Sequence, residues 1–255
     1  MCTVVTLFRP GHAWPLLFAA NRDEMRARPW RPPARHWPDR PHVTAGRDLE
    51  AGGTWLGVND AGVVAGVLNR VGSLGPAESK VSRGELPLIA LGHESAEAAA
   101  EAICRLDGAR YRPFNMALAD SGGAFWVRWT GDEADGHSTA HPIPEGLHML
   151  TAFDLDDGAS PRVARHLLQL RAAPLPDPEA GDWAGWIERL ADRGRDSAVG
   201  EPGAMLIEGP GGFGTVSSSL IALAAAPRRT IWLFAAGTPD KVSFRPVRVA
   251  TTDCV

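Results

Sequence analysis

Cysteine is scarce in this chain of 255 residues. Its three cysteines, Cys2, Cys104 and Cys254, are far apart and odd in number. The sequence therefore contains neither a disulfide framework nor a C-x-x-C metal pair. This usage is typical of a reducing compartment, so we expect the protein in the cytoplasm and without a bound metal.

Long apolar runs and an excess of charge of one sign are also lacking. No stretch is apolar for long enough to cross a bilayer, and no charged segment leads into a signal-like apolar region. The formal net charge is −4, with one basic patch at residues 26–40. We therefore expect no membrane insertion and no nucleic-acid partner. Repeats and low-complexity linkers are missing too, which favours a single domain over residues 1–255; the oligomeric state stays open.

Short, continuous apolar segments joined by turns indicate strands that are buried on both faces. The predicted strands cover residues 3–8, 14–20, 54–58, 63–68, 115–119, 124–129, 147–151, 214–223, 230–234 and 242–249. The predicted helices cover 84–93, 95–105, 160–171 and 183–193, with Ser95 as a helix N-cap. Residues 28–43 are predicted to be an irregular connection. This order predicts an α/β or α+β domain in which two packed sheets have helices outside.

Cys2 occupies a position that gives it a special chemistry if the initiator Met1 is removed. The mature chain would then begin with a thiol and a free α-amine on the same residue. An α-amine titrates at about pH 8 and can act as the base for its own side chain, as in enzymes with an N-terminal nucleophile. The alternative is that Cys2 is a small buried side chain at the start of a strand.

Polar clusters follow two of the predicted strands. Asn21-Arg22-Asp23-Glu24 ends the second strand, and Asn69-Arg70 ends the strand at 63–68. A hydrolase with an N-terminal cysteine needs a carboxylate to orient the amine and neutral donors for the oxyanion, roles that fit Asp23 and Asn69. We therefore predict three catalytic residues, Cys2, Asp23 and Asn69. The predicted substrate-binding residues are Asn21, Arg22, Glu24, Trp55 and Arg70, with Arg22 orienting the thiol or binding a substrate carboxylate.

Four short stretches occur in an order and spacing that carry a family resemblance: Cys2, Asn21-Arg22-Asp23-Glu24, Gly52-Gly53-Thr54-Trp55-Leu56-Gly57 and Ser82-Arg83-Gly84. Phe114-Asn115 and Ser217-Ser218-Ser219-Leu220 extend it more weakly. Together they resemble the NRDE family, the proteins that are similar to transport and Golgi organisation protein 2. That family is similar to N-terminal-nucleophile hydrolases of the penicillin V acylase and bile salt hydrolase type. The resemblance implies an α+β fold, a four-layer αββα sandwich of two antiparallel sheets flanked by helices. It also implies Cys2 as nucleophile, Asp23 as the amine-orienting carboxylate and Asn69 as an oxyanion donor.

Two positions depart from the family pattern. Acylases of this type place a second Asn on a later strand, where this chain has Thr151-Ala152, and relatives carry an Arg where this chain has Val216. Loss of one oxyanion donor costs about 2.7–4 kcal/mol of transition-state stabilisation in a measured case. We therefore expect weakened hydrolysis.

Two functions are consistent with these residues. The first is an N-terminal cysteine hydrolase or acyltransferase that acts on a small non-peptide amide. The second is a binding or carrier protein on the same scaffold, with haem or a lipid-like molecule as ligand and no other cofactor. Trp30, Trp37 and Trp55 are predicted to wall an apolar pocket, whereas His137 and His141 are predicted to be exposed loop residues rather than metal ligands.

Overall fold

Two antiparallel sheets, one of six and one of seven strands, form the centre of the computed structural model, which describes residues 2–194, 203–225 and 230–249. The strands are β1 (Thr3–Phe8), β2 (Leu16–Met25), β3 (Trp30–Ala34), β4 (Val43–Asp48), β5 (Leu56–Asn59), β6 (Val64–Asn69), β7 (Phe114–Ala119), β8 (Ala124–Trp129), β9 (Thr139–Pro142), β10 (Gly146–Leu150), β11 (Phe213–Leu223), β12 (Thr230–Ala235) and β13 (Arg245–Pro246). The helices are α1 (Glu85–Ala90), α2 (Ala96–Cys104), α3 (Pro161–Ala172) and α4 (Ala184–Leu190). The first sheet has the order β10-β1-β2-β11-β12-β13, and the second runs from β3 to β9 in chain order.

Three apolar layers hold the sheets and helices together. The central layer lies between the sheets and joins side chains such as Phe18 of β2 to Leu56 of β5. A second layer packs α1 and α2 on the seven-stranded sheet, and a third packs α3 and α4 on the six-stranded sheet. Both faces of each sheet are therefore covered, which explains why all six residues of β1 are buried. The predicted α+β fold, a four-layer αββα sandwich, is confirmed.

Strand pairing brings the chain start to the end of β2. β1 lies between β10 and β2, and Thr3 pairs with Asn21. Because the two strands are antiparallel, Cys2 precedes β1 at the same edge where β2 continues into Asp23. The end of β6 at Asn69 belongs to the other sheet and pairs with Phe114. The first polar cluster and the N-terminus are thus placed together by backbone hydrogen bonding alone.

Some element boundaries differ from the prediction. Residues 28–43 contain β3 rather than only irregular chain, and its two prolines are tolerated because β3 is an edge strand with a register shift between Arg31 and Ala34. The last predicted strand, 242–249, is reduced to Arg245–Pro246. α2 begins as predicted, since the Ser95 hydroxyl accepts a hydrogen bond from the backbone N–H of Ala98. Across the described ranges, no helix combines the length and apolar character needed to traverse a bilayer.

Candidate functional site

A cleft of about 300 Å³ opens where the polar end of β2 meets the end of β6. Cys2, Asp23 and Asn69 all line it. The structure therefore brings together the three residues for which the sequence predicts catalytic roles. The volume lies at the lower end of the range for sites that bind small molecules.

The Cys2 thiol lies against the backbone of Asp23. The Asp23 N–H donates to Sγ at 3.4 Å, and the thiol is 3.7 Å from the Asp23 carbonyl oxygen, to which it donates. Burial raises the pKa of the Cys2 thiol, and the negative charge of Asp23 raises it further, whereas Arg22 acts in the opposite direction. A thiol with a raised pKa is mostly protonated at neutral pH. Attack by Cys2 on a carbonyl would therefore need a nearby base.

The Asp23 carboxylate is fixed by side chains from distant parts of the chain. Arg162 of α3 forms an ion pair with Oδ2 at 2.9 Å, and the Thr215 hydroxyl donates to Oδ1 at 2.7 Å. Arg162 also donates to the Thr3 hydroxyl at 2.6 Å and to the Ala204 carbonyl oxygen at 2.7 Å. The carboxylate thus has a defined orientation beside the start of the chain.

Arg162 and Thr215 are site residues that the sequence reasoning missed. For Arg162 one signal exists, because it shares the buried stripe of α3 with Val163, His166, Leu167 and Leu170. A charged residue on the apolar face of a helix is unusual and requires a partner. Thr215 carries no comparable signal.

Arg22 is buried beside Cys2 and lines the same cleft. Its guanidinium carbon is 4.0 Å from the centre of the Trp55 ring, a cation–π contact. Its nearest carboxylate oxygens are distant, at 3.9 Å in Glu24 and 4.0 Å in Asp48, and its buried Nη1 has no hydrogen-bond partner within the described structure. Burial lowers the pKa of Arg22, against the effect of nearby negative groups. The cleft thus contains a cation that the protein itself does not fully pair.

Close backbone packing fixes the position of Trp55. The indole ring lies over Gly46, where a Cβ atom would be 2.3 Å from ring carbons. Gly53 lies against Gly84, where a Cβ would be 2.4 Å from backbone atoms, and Thr54 N–H donates to the Gly84 carbonyl oxygen. The glycines of the 52–57 motif and of Ser82-Arg83-Gly84 therefore join two cleft walls.

Of the predicted substrate-binding residues, Arg22, Glu24 and Trp55 line this cleft. Arg70 instead donates to Asn115 Oδ1 and forms an ion pair with Asp154, both at 2.7 Å. Asn21 donates to the backbone carbonyls of Leu190 and Met205 and accepts from Ser218. The amide of Asn21 and the guanidinium of Arg70 are thus engaged in internal contacts, and neither residue lines the cleft of about 300 Å³.

Asn69 differs from Asn21 in this respect. It is half-buried at the cleft, and its side-chain amide makes no hydrogen bond to any residue that the structure describes. An unengaged amide N–H at a cleft is free to donate to a developing oxyanion. By contrast, Ala152 is buried and does not line the cleft, and its carbonyl oxygen accepts a hydrogen bond from Val71 N–H at 3.2 Å.

Loop residues 72–84 form a further part of the cleft wall. Arg83 donates to the Ser73 hydroxyl and the Pro113 carbonyl oxygen, both at 2.9 Å. Arg112 donates to the carbonyl oxygens of Gly72, Leu74, Gly75 and Pro76. The sequence pointed to Arg83 only as part of a family motif and did not indicate Arg112.

Of the three tryptophans predicted to wall a pocket, Trp55 lines the cleft, whereas Trp30 and Trp37 are not among its lining residues. Trp30 contacts Trp55 edge-on with ring centres 5.8 Å apart, whereas Trp37 packs against His36. His141 lies on β9 beside Trp126 rather than in a loop, and His137 is exposed. Among the described residues no group of three or more His, Cys, Asp or Glu side chains is arranged to hold a metal ion.

Comparison with known proteins identifies the family of this sequence. A family model described as Transport and Golgi organisation 2 matches residues 1–174. The Transport and Golgi organization protein 2 homolog of Bos taurus is 33% identical over 129 residues, which cover 47% of this chain and 45% of that protein. The match thus spans about half the length of the curated relative.

Solved structures with low sequence identity share the fold. The Caenorhabditis elegans N-acylethanolamine-hydrolyzing acid amidase ortholog has a TM-score of 0.56 at 11% identity, over 86% of this chain and 92% of that chain. A mutant conjugated bile acid hydrolase from Clostridium perfringens has a TM-score of 0.51 at 13% identity, over 99% of this chain and 98% of that chain. At these identities the likeness concerns the fold.

Proposed function

The chain belongs to the Transport and Golgi organisation 2 family, and we propose that it is a cytoplasmic N-terminal cysteine hydrolase or acyltransferase that acts on a small non-peptide amide. The observation that carries the proposal is that Cys2, Asp23 and the unengaged amide of Asn69 line one cleft, with the buried carboxylate of Asp23 fixed by Arg162 beside the start of the chain. These groups correspond to nucleophile, amine-orienting group and oxyanion donor.

Removal of Met1 would supply the base that the raised pKa of the thiol requires. The α-amine of Cys2 takes the thiol proton as the sulfur attacks the carbonyl carbon, and the carbonyl electron pair moves to oxygen, where Asn69 donates a hydrogen bond. The C–N bond then breaks, the proton passes from the α-amine to the leaving amine, and a thioester remains on Cys2. Water completes hydrolysis, or a second amine completes acyl transfer.

The fold supports the reaction class but does not define the substrate. Two proteins with the same architecture have names that state cleavage of N-acylethanolamines and of conjugated bile acids. The first of these names also calls its protein an amidase. A scaffold hosts many functions, so the assignment to this chain rests on its own site residues.

Intact mass measurement and thiol labelling test the proposal together. We expect the active protein to lack Met1 and iodoacetamide to modify Cys2 before Cys104 or Cys254. A variant with Leu inserted between Met1 and Cys2 should retain Met1 and lose turnover. The Cys104→Ser variant should turn over substrate like wild type. Turnover by protein that retains Met1, or by Cys2→Ala, would contradict the proposal.

A binding or carrier role for haem or a lipid-like ligand is the second candidate. Cys2 is the one residue among those described around the cleft that belongs to the types that coordinate haem iron, namely His, Cys, Met and Tyr. Titration with haem should then produce a saturable absorption band that is shifted in Cys2→Ser and unchanged in Cys104→Ser. A band with no dependence on Cys2 would remove this candidate.

A further inference from the structure

Three cations on one part of the cleft wall are bonded only to neutral oxygens. This cationic wall consists of Lys80, Arg83 and Arg112, all of which line the cleft with Cys2. Lys80 Nζ donates to the Ala109 carbonyl oxygen at 2.5 Å, and Arg83 and Arg112 donate to a hydroxyl and to carbonyls. In the described ranges no carboxylate oxygen lies within 4.0 Å of any of the three.

The acidic residues of the cleft, by contrast, are paired with other cations. Asp48 and Glu50 accept from Arg28 at 2.7 and 3.1 Å, and Asp23 is paired with Arg162. Glu24 lies 3.8 Å from Arg28. Glu24, Asp48 and Glu50 thus share Arg28, with Arg22 at 3.9 and 4.0 Å from the first two. Within the described ranges, none of these carboxylates lies within 4.0 Å of the cationic wall.

Arg83 has both the charge and the unused donors for a ligand. Its Nη1 makes both of its hydrogen bonds, so Nε and Nη2 donate to no atom of the described residues. Burial, followed by the neighbouring charge of Arg112, lowers the pKa of Arg83 to about 10. The guanidinium is therefore still charged at neutral pH, but the charged form is disfavoured. An anion beside Arg83 would offset both the burial of the guanidinium and the repulsion from Arg112.

A second, independent feature of the cleft also fits an anion. Arg22 is 5% exposed, and its Nη1 is buried without a hydrogen-bond partner within the described structure. An unpaired buried donor of a charged group is costly unless a ligand or water satisfies it. Positive groups thus occur both beside Cys2 and on the cationic wall.

We propose that the substrate is an acidic amide, whose anionic group is bound by Arg83 within the cationic wall while its amide carbonyl reaches Cys2. This inference rests on the proposed function and adds the substrate class. Arg83 would contact the anion directly, Lys80 would add charge, and Arg112 would position the loop that carries them. A guanidinium with two nitrogen atoms free to donate suits a carboxylate or a phosphonate.

Calorimetric binding to the Cys2→Ala protein tests the proposal without any reaction. The probes are N-hexanoylglycine and N-hexanoylethanolamine, which share the acyl chain and the amide and differ in carboxylate against hydroxyl. We expect the acid to bind on the order of ten- to a hundredfold more tightly, as hydrogen bonds to charged groups contribute. The preference should shrink as NaCl is raised. The aminomethylphosphonate analogue of the acid distinguishes a phosphonate-selective from a carboxylate-selective site.

Substitutions assign the preference to Arg83. Arg83→Gln should abolish it, and Arg83→Lys should keep part of it. The matched control is Arg105→Gln, which removes the same charge from an exposed arginine directly after α2 that is paired with Glu101. Equal affinity for acid and ethanolamide, or equal behaviour of Arg83→Gln and Arg105→Gln, would overturn the proposal. If Arg83→Gln does not fold, the test is the effect of NaCl on the affinity difference between the two probes in the Cys2→Ala protein. A difference that does not shrink as NaCl is raised would overturn the proposal.

The two proposals fail separately. If the Cys2→Ala protein prefers the acid but wild-type protein never cleaves it, the anion site stands and the hydrolase is lost. If wild-type protein cleaves both probes with equal kcat/KM, the hydrolase stands and the anion site is lost.

Discussion

At the scale of single residues, the site depends on which polar groups are already engaged. Asn21 lies within β2 and Asn69 ends β6, yet Asn21 donates to two backbone carbonyls while Asn69 has its amide free at the cleft. The same residue type is thus structural at one position and available for chemistry at the other. A network of internal hydrogen bonds is what separates them.

Asn69→Ala tests the oxyanion role. The hydrogen bond strengthens only as charge develops on the carbonyl oxygen, so we expect kcat to fall by about a hundred- to a thousandfold with little change in KM. Alkylation of Cys2 by iodoacetamide forms no oxyanion and should keep its wild-type rate, which serves as the control. A loss of both rates would indicate disturbed structure instead.

The residues of the site were predictable to the extent that they are marked by local position. Cys2, Asp23 and Asn69 stand at residue 2 and at two strand ends, where polar side chains interrupt apolar runs. Arg162 and Thr215 reach Asp23 from 139 and 192 residues away, so no local pattern indicates that contact. Arg70 was predicted to bind substrate because it follows a strand end. Its actual partners, in β7 and in the loop after β10, are distant in sequence and could not be read from that position.

At the scale of elements, the contact between Gly53 and Gly84 joins the loop before β5 to the segment before α1. Gly53→Ala would place a Cβ 2.4 Å from the backbone of Gly84. Since backbone cannot move aside as a flexible side chain can, we expect a loss of about 1–3 kcal/mol in the free energy of unfolding, measured in urea.

The matched control for this substitution is Gly158→Ala, where a Cβ meets no atom within 4 Å. It should be neutral or stabilising by up to about 1 kcal/mol. Equal stability of the two variants would show that the segments can separate at little cost.

α3 carries a buried histidine that links its packing to pH. His166 Nε2 is 2.9 Å from the Gly203 carbonyl oxygen, and burial lowers the pKa of His166. The unfolded chain therefore takes up a proton as the pH falls through about 6.5, where the folded protein does not yet do so. This contribution to stability is complete above that pH and is lost as the pH falls.

His166→Gln keeps a donor for Gly203 but does not titrate. We expect the free energy of unfolding of this variant to fall less than that of wild type between pH 8 and pH 5.5, by at most about 1.4 kcal/mol per pH unit for one proton. His141→Gln, at an exposed position on β9, is the control and should follow wild type. Parallel curves for all three proteins would contradict the role of His166.

Most elements were predictable because each strand is a short apolar run between turn residues. The exceptions have physical reasons. β3 forms although it contains two prolines, because an edge strand need not donate on both sides. β13 is short because only Arg245 and Pro246 pair with β12.

At the scale of the whole molecule, β1, β2 and β11 are interior strands that we expect to be well protected from exchange. They lie inside the six-stranded sheet, between the central apolar layer and the layer under α3 and α4. We expect amide hydrogens of Leu16–Ala20 to exchange only on global unfolding, whereas those of the exposed edge strand β9 exchange by local opening. Hydrogen-exchange mass spectrometry measures both, and faster exchange in β2 than in β9 would contradict this order of stability.

The architecture could be predicted from the sequence, but the order of strands in the first sheet could not. Continuous apolar runs together with the helical segments predict two packed sheets with helices outside, and the family resemblance implies their four-layer αββα order. The pairing of β11 with β2, in which Leu220 lies opposite Ala19, joins strands that are far apart in the sequence. Only the complete packing determines such a partner.

Arg112 has a consequence for how this protein can diversify. It holds the loop through the carbonyl oxygens of residues 72 and 74–76, which every amino acid possesses. Gly72 and Gly75 have φ of 74° and 78°, a conformation that favours glycine, but the side chain of Leu74 can be exchanged during evolution, or in a designed library, while the loop keeps its course. The backbone course of this loop and the side chains that face the cleft are therefore determined by different residues. New ligand preferences can arise here without a new fold.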